Sequence, residues 1–133
     1  MRIVGATEHA VVLYRDKLPK FNNNGKMIFN WMEWQRDNSK TYPKIHPTQK
    51  PVALYKWLLK NYAKPNDKIF DSHVGSGSIR IACHDMGFDF EGCEIDKDYW
   101  EAQENRYNEH AQQGSLFSDK EIQGIIYKEG VFI

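Results

Sequence analysis

The stretch Lys68-Ile69-Phe70-Asp71-Ser72-His73-Val74-Gly75-Ser76-Gly77-Ser78-Ile79-Arg80 constrains the fold of this chain more than any other. An apolar run meets an acidic residue, a glycine-serine loop follows, and apolar residues then recur at helical spacing. That order predicts a strand, a tight turn and a helix start. In α/β proteins such a turn, at the carboxyl end of a strand, is where nucleotide-like ligands bind. By itself the loop is a weak signal, because Gly-Ser-Gly turns are common in strand-helix joints.

The flanks extend the pattern. Upstream, Pro51 suits the first position of a helix. Val52, Tyr55, Leu58, Leu59 and Tyr62 then recur at helical spacing up to about Ala63, and Pro65-Asn66-Asp67 breaks the run. Downstream, Ile79, Ala82, Cys83 and Met86 mark one helix face, with Gly87 as its stop. Phe88 to Ile95 reads as a second strand finishing in Glu94-Ile95-Asp96. Asp96 can cap a third helix running through about Glu109, with Tyr99, Ala102 and Tyr107 inward. The order helix, strand, helix, strand, helix predicts parallel pairing and an open α/β sheet.

Further from the loop the signals thin. Residues 8–14 predict a short buried strand, and Met27 to Trp34, with Phe29, Trp31 and Trp34, predict another. Aromatics interleaved with Lys26, Arg36 and Lys40 suit stacking on splayed bases, although such a stripe more often packs a core or an interface. The tail from Gln112 stays open between a capping box at Ser118 to Glu121 and extended structure at Ile125-Ile126-Tyr127.

At 133 residues, 41% hydrophobic and 14% aromatic, the chain is expected to form one globular domain. It has no run of about 18 apolar residues to span a membrane, and its first residues lack the apolar core of a signal peptide. Cys83 and Cys93 have no metal-ligand spacing and read as thiols of a reducing cytoplasm. The net charge is zero, yet residues 1–60 carry eleven Lys/Arg against four Asp/Glu, and residues 61–133 seven against fourteen. A basic first half can face phosphates, or the two halves can simply attract each other.

A second acidic residue sharpens the loop. Glu94 lies 23 positions after Asp71, about the spacing at which a carboxylate accepts hydrogen bonds from ribose hydroxyls. Two acidic strand ends around a glycine loop suit an adenosine ligand carrying a cation better than a pyrophosphate. S-adenosylmethionine, with its ammonium and sulfonium, fits. The plainer reading of Glu94 is a solvated strand end. A dinucleotide site is disfavoured because the third glycine of that fingerprint is absent: the position holds Arg80.

These residues resemble a family. His46-Pro47-Thr48-Gln49-Lys50-Pro51 before an amphipathic helix, then Phe70-Asp71 with Gly75-Ser76-Gly77-Ser78, then Gly92-Cys93-Glu94-Ile95-Asp96 and Tyr99, are similar to the β-class DNA amino-methyltransferases. Those enzymes carry their motifs in circularly permuted order. Residues 44–110 resemble the family strongly, and Glu8 to Tyr14 more weakly. The resemblance implies a partial Rossmann-like methyltransferase fold, an incomplete parallel sheet flanked by helices. It divides the chain into a basic target-recognition segment at 1–45, a cofactor-binding α/β region at 46–112 and a tail at 113–133. It also implies methylation of adenine N6, in preference to cytosine N4, in double-stranded DNA, as in restriction-modification or phage systems. Asp71 through Ser78 would form the cofactor loop, with Gly75 and Gly77 allowing close approach and Ser76 and Ser78 between and behind them. Glu94 would hold the ribose, and His46, Thr48 and Lys50 would close over the methionine end, Lys50 facing its carboxylate.

Two departures stand out. Asp71-Ser72-His73 replaces the family's usual Asp-Pro-Phe, so His73 would supply the flat surface beside the cofactor. The catalytic tetrapeptide, which contains Pro-Pro followed by an aromatic, is absent, for no Pro-Pro occurs in the 133 residues. In the family that motif accepts hydrogen bonds from the amine of a flipped base. This chain therefore reads as a cofactor-binding part with no catalytic residue of its own. It would be inactive without a complementary methyltransferase fragment, or be a non-catalytic remnant. An incomplete sheet also invites homo-oligomer formation. Gln113-Gly114-Ser115-Leu116-Phe117 resembles the peptide by which DNA-processing proteins dock on the sliding clamp; a Leu-Phe pair folding back on its own helix is the plainer reading.

Overall fold

In the computed structural model of the chain, residues 7–17, 25–27, 29–34 and 44–115 are described. The first helix, α1, spans Val52–Tyr62. Pro51 lies one residue before it with extended backbone, as the N-cap and not the first helical position, and its carbonyl accepts from the Leu54 amide at 3.2 Å. Ala63 closes the last turn, and Lys64-Pro65-Asn66-Asp67 reverses the chain. Proline at the second position and φ +70° at Asn66 are the marks of a type II turn, locked by the Asp67 amide on the Lys64 carbonyl at 3.0 Å.

Strand β1 (Lys68–Asp71) follows, then helix α2 (Ser78–Met86), strand β2 (Asp89–Gly92) and helix α3 (Lys97–Ser115). Gly87 ends α2 in the left-handed region at φ +73°, and the Phe88 amide reaches back to the Cys83 carbonyl at 2.9 Å, the pattern of a Schellman cap. Asp96 caps α3: its Oδ1 accepts from the Asp98 and Tyr99 amides at 2.9 and 3.0 Å.

The two strands pair in parallel, Lys68 opposite Asp89 through Asp71 opposite Gly92. Ile69 and Phe90 therefore share one face with Asp71 and Gly92, and pack on the helices. Val52, Leu59 and Ala63 from the α1 side meet Ile81, Ala82 and Cys83 of α2 in the core, with Ile69, Phe90 and Tyr107 against them. Burial lifts the Cys83 thiol to about 11, so it stays protonated. The opposite face carries Lys68, Phe70, Asp89 and Glu91, all exposed. The α/β order and the parallel pairing agree with the sequence reading.

Several expectations need correction. Residues 8–14 are exposed throughout and form no strand; Val11 and Leu13 are 83% and 87% accessible. Met27 and residues 29–34 form none either, although Phe29 and Trp31 rings sit 5.9 Å apart. β-Rich composition makes a strand only where another strand offers hydrogen bonds, and the described pairing engages β1 with β2. Strand β2 is shorter than expected, stopping at Gly92 ahead of Glu94, and α3 continues past Glu109 to Ser115. On α3 the buried side chains are Gln103 and Arg106, while Tyr99, Ala102 and Tyr107 are half-buried. On α2, Ser78 and Ile81 join Ala82 and Cys83 as the buried residues, whereas Ile79 and Met86 are half-buried. Leu116 and Phe117 of the clamp-like peptide, and the rest of the tail, lie outside the described residues.

Candidate functional site

The site forms at the carboxyl ends of β1 and β2, where residues 72–77 bridge to α2. Four of its amides are already engaged inside the protein. His73 donates to Asp71 Oδ1 (2.9 Å), Val74 to the Cys93 carbonyl (3.1 Å), Gly75 to Glu94 Oε2 (2.8 Å) and Gly77 to the Val74 carbonyl (2.9 Å). The Cys93 amide donates to the Asp71 carbonyl at 2.9 Å, carrying the β1–β2 pairing past the strand ends. A phosphate cradle needs free amides and positive potential. With four loop amides spent internally and Asp71, Glu94 and Asp96 nearby, the loop suits a cationic ligand better than a phosphate.

Two glycines are fixed by close contacts. Gly77 has φ +72°, and a Cβ there would lie 3.1–3.2 Å from Gln103. At Gly92 a Cβ would fall 2.4 Å from Val74 Cγ2 and 2.9 Å from the Phe90 ring, closer than real Cβ atoms sit, with the Asp71 carbonyl oxygen at 3.1 Å. Glycine is what lets β2 pass directly beneath the loop.

Both oxygens of Glu94 take backbone amides, Gly75 on Oε2 and Asp96 on Oε1 at 3.0 Å. These bonds, the Asp96 one foremost, hold its carboxyl below the ordinary glutamate range. The Ile95 amide also acts on this carboxylate, and the acceptor capacity that remains can take a ligand hydroxyl. The plain solvated-strand-end reading is therefore replaced by a carboxylate that splints loop to strand end.

The hexapeptide at 46–51 folds over this loop. The His46 ring lies 3.8 Å from the Cβ position of Gly75 and 4.3 Å, centroid to centroid, from the Tyr99 ring on α3. Thr48 donates its amide to His46 Nδ1 at 3.2 Å, with its hydroxyl 3.1 Å from the same nitrogen, and Gln49 Oε1 accepts from the Ile45 amide at 3.0 Å. Lys50 Nζ donates to both oxygens of Glu8 at 2.7 Å. Beside it, burial foremost and then the charges of Asp71 and Glu8 push the Tyr55 phenol up. Thus His46 opens a turn closed by the Gln49 amide on its carbonyl at 3.2 Å and packs on the loop, while Lys50, one residue past the turn, holds Glu8. His73 is exposed, its Nδ1 2.8 Å from Ser72 Oγ.

Two residues that sequence reasoning missed support the loop from behind. Arg106, 5% exposed, donates to the Ser76 carbonyl at 2.6 Å and to Ser78 Oγ at 2.9 Å, and Ser76 Oγ lies 3.2 Å from Ser78 Oγ. Gln103 faces Gly77 and accepts from Arg80 at 2.9 Å, while Arg80 also pairs with Glu104 and covers the Tyr107 ring at 3.9 Å. The stripe Tyr99, Gln103, Arg106, His110 has helical spacing, which is the signal that a purely apolar reading passes over. Beside the loop, Phe70, Val74, Phe90, Glu94, Trp100 and Gln103 help to line a cavity of about 440 Å³. Among the described residues no group of three or more His, Cys, Asp or Glu is placed to hold a metal.

Comparison with known proteins decides the family. The profile of the DNA methylases, N6_N4_Mtase, matches residues 8–105. The chain belongs to the DNA methylase family. Of its relatives in that family, the type II methyltransferase M2.LlaDCHI of Lactococcus lactis subsp. cremoris is 31% identical over 102 residues, 76% of this chain but 38% of that protein. The type II methyltransferase M.HpaI of Haemophilus parainfluenzae is 36% identical over 63 residues, 47% of this chain and 20% of that protein. Among solved structures, the M1.HpyAVI–SAM complex is 35% identical, covering 47% of this chain and 32% of that one, with a TM-score of 0.46. This DNA methylase chain thus spans less than two-fifths of the length of these relatives. Among its described residues no helix is long and apolar enough to cross a membrane.

Proposed function

We propose that residues 46–112 form the S-adenosylmethionine-binding part of a DNA amino-methyltransferase. The observation that carries this is the His46–Lys50 turn folded onto the Gly75 loop, with Glu94 splinting the loop to the end of β2. The donor set fits the cofactor: carboxylates at Asp71 and Glu94 for its cationic and hydroxyl-bearing parts, the Lys50 ammonium for its carboxylate. The acidic surround of Asp71 and Glu94 speaks against a pyrophosphate ligand. When bound, the cofactor supplies an electrophilic methyl group. The residues here bind and orient: Glu94 has acceptor capacity for a ribose hydroxyl, and the His46 and His73 rings offer flat surfaces at the loop. Ser76, Gly77 and Ser78 hold the start of α2 on Arg106 and Gln103, keeping the loop in one shape.

The 133 residues hold no Pro-Pro dipeptide, so the acceptors for the amine of a flipped base come from another polypeptide segment. The substrate proposed for the assembled enzyme is double-stranded DNA, at adenine N6 in preference to cytosine N4. Lys26 with the exposed Phe29 and Trp31 is the segment that meets it. Calorimetry with S-adenosylhomocysteine tests the cofactor reading: heat saturating in the micromolar to millimolar range is expected, and none at millimolar ligand refutes it. Labelled methyl transfer to plasmid DNA tests the rest. The purified chain alone should incorporate none, and incorporation would show that it holds its own acceptors.

A further inference from the structure

We propose that Glu8 competes internally for the ligand carboxylate at Lys50, so that cofactor binding displaces Glu8 and Glu8 in turn sets cofactor affinity. The inference rests on the cofactor reading above. Its geometry is a symmetric pair: Lys50 Nζ lies 2.7 Å from each Glu8 oxygen. That is how an ammonium holds a free carboxylate, and the amino-acid end of S-adenosylmethionine presents the same chemical group.

Three further observations make the exchange feasible. Lys50 follows the turn whose His46 contacts the Gly75 loop, so the ammonium belongs to the ligand-facing segment. Burial foremost, and then the charges of Asp71 and Glu8, push the Tyr55 phenol up, so one hydroxyl feels both carboxylates. Glu8 itself sits on an extended segment exposed from residue 7 to residue 17. An exposed tether with side chains 36% and 42% accessible across the pair exchanges partners at little cost, unlike a buried pair locked by packing. Because linkage is reciprocal, loading the cofactor frees the Glu8 carboxylate, and whatever else binds that carboxylate alters cofactor affinity by the same factor.

The test is calorimetry on the full chain and its Glu8→Gln, Glu8→Ala and Lys50→Met variants. The two probes are S-adenosylhomocysteine and 5′-methylthioadenosine, which keeps the nucleoside and thioether but lacks the carboxylate. Removing the Glu8 charge should tighten S-adenosylhomocysteine roughly threefold, the modest worth of an exposed pair, and leave methylthioadenosine unchanged. In a Lys50→Met background the Glu8 substitutions should have no effect. Unchanged or weaker S-adenosylhomocysteine binding by both Glu8 variants overturns the proposal while the cofactor reading stands. Equal tightening of both probes overturns it too, since the carboxylate is then not involved. No binding of either probe by any variant overturns the cofactor reading and the proposal together.

Discussion

Each oxygen of the Glu94 carboxylate accepts a backbone amide, one from the loop and one from the turn into α3. A charged acceptor makes both bonds stronger than a neutral one would. Because its carboxyl is held below the ordinary range, chiefly by the Asp96 and Gly75 amides, Glu94 binds fewer protons folded than unfolded in that interval. Its stabilisation is complete above the unfolded glutamate value of about 4.3 and is lost as pH falls through the lower folded value. Glu94→Gln, which presents an NH₂ where one amide now donates, should lower the melting temperature at neutral pH. Wild type should then lose stability faster than the variant between about pH 5 and pH 3, closing the gap. Parallel melting curves across that range would count against the splint. The residue was legible in the sequence as an acid near a strand end. Its two amide partners were not, because they depend on how Gly75 and Asp96 fold around it.

At the scale of elements, α3 serves as a strut as well as a packing helix. Arg106 reaches from its buried face to the Ser76 carbonyl and Ser78 hydroxyl, tying α3 to the loop and to the first turn of α2. On the far side of α2, Asp85 takes Lys56 of α1 and His110 of α3, each at 2.6 Å. Burial raises the Asp85 carboxyl, but those two hydrogen bonds outweigh it and the net shift is downward. Polar ties at both ends of α2 thus fix the three helices around a small apolar core. Arg106→Met keeps the aliphatic volume and removes the charged donor. It should cost about 2 kcal/mol in urea unfolding, the worth of hydrogen bonds from a charged group to buried acceptors. An unchanged midpoint would mean that apolar packing alone holds α3. Helix existence, caps and the Gly87 stop were legible from residue spacing. The polar character of the inward face was not, since tyrosine and alanine at helical spacing offered an apolar alternative.

Taken whole, the described body has helices on one sheet face and bare backbone and side chains on the other. Parallel sheets are normally buried on both faces, and two strands make a very small one. Phe70 on the bare face is 61% exposed, and Trp100 near it 49%. With Val74 and Phe90 they line the open cavity. Apolar surface of this kind seeks cover. In dilute solution the chain should self-associate: sedimentation velocity is expected to show species larger than a 15.6 kDa monomer. Phe70→Glu should return it to monomer with unchanged far-UV circular dichroism, because its side chain lies on the face away from the core. A wild-type monomer that fails to bind hydrophobic dye would show that the bare face needs no cover.

What the sequence by itself determined is local: turn chemistry at Pro65-Asn66 and Gly87, the Asp96 cap, helical periodicity, and the motif order that marks the family. These follow from backbone sterics and hydrogen bonds within a few residues of each other. The tertiary structure alone decided that the apolar run at 10–14 stays exposed, that Lys50 meets Glu8 42 positions away, and that Arg106 supports a loop 30 positions before it. Such pairings depend on which surfaces the fold brings together, and spacing along the chain carries no record of that.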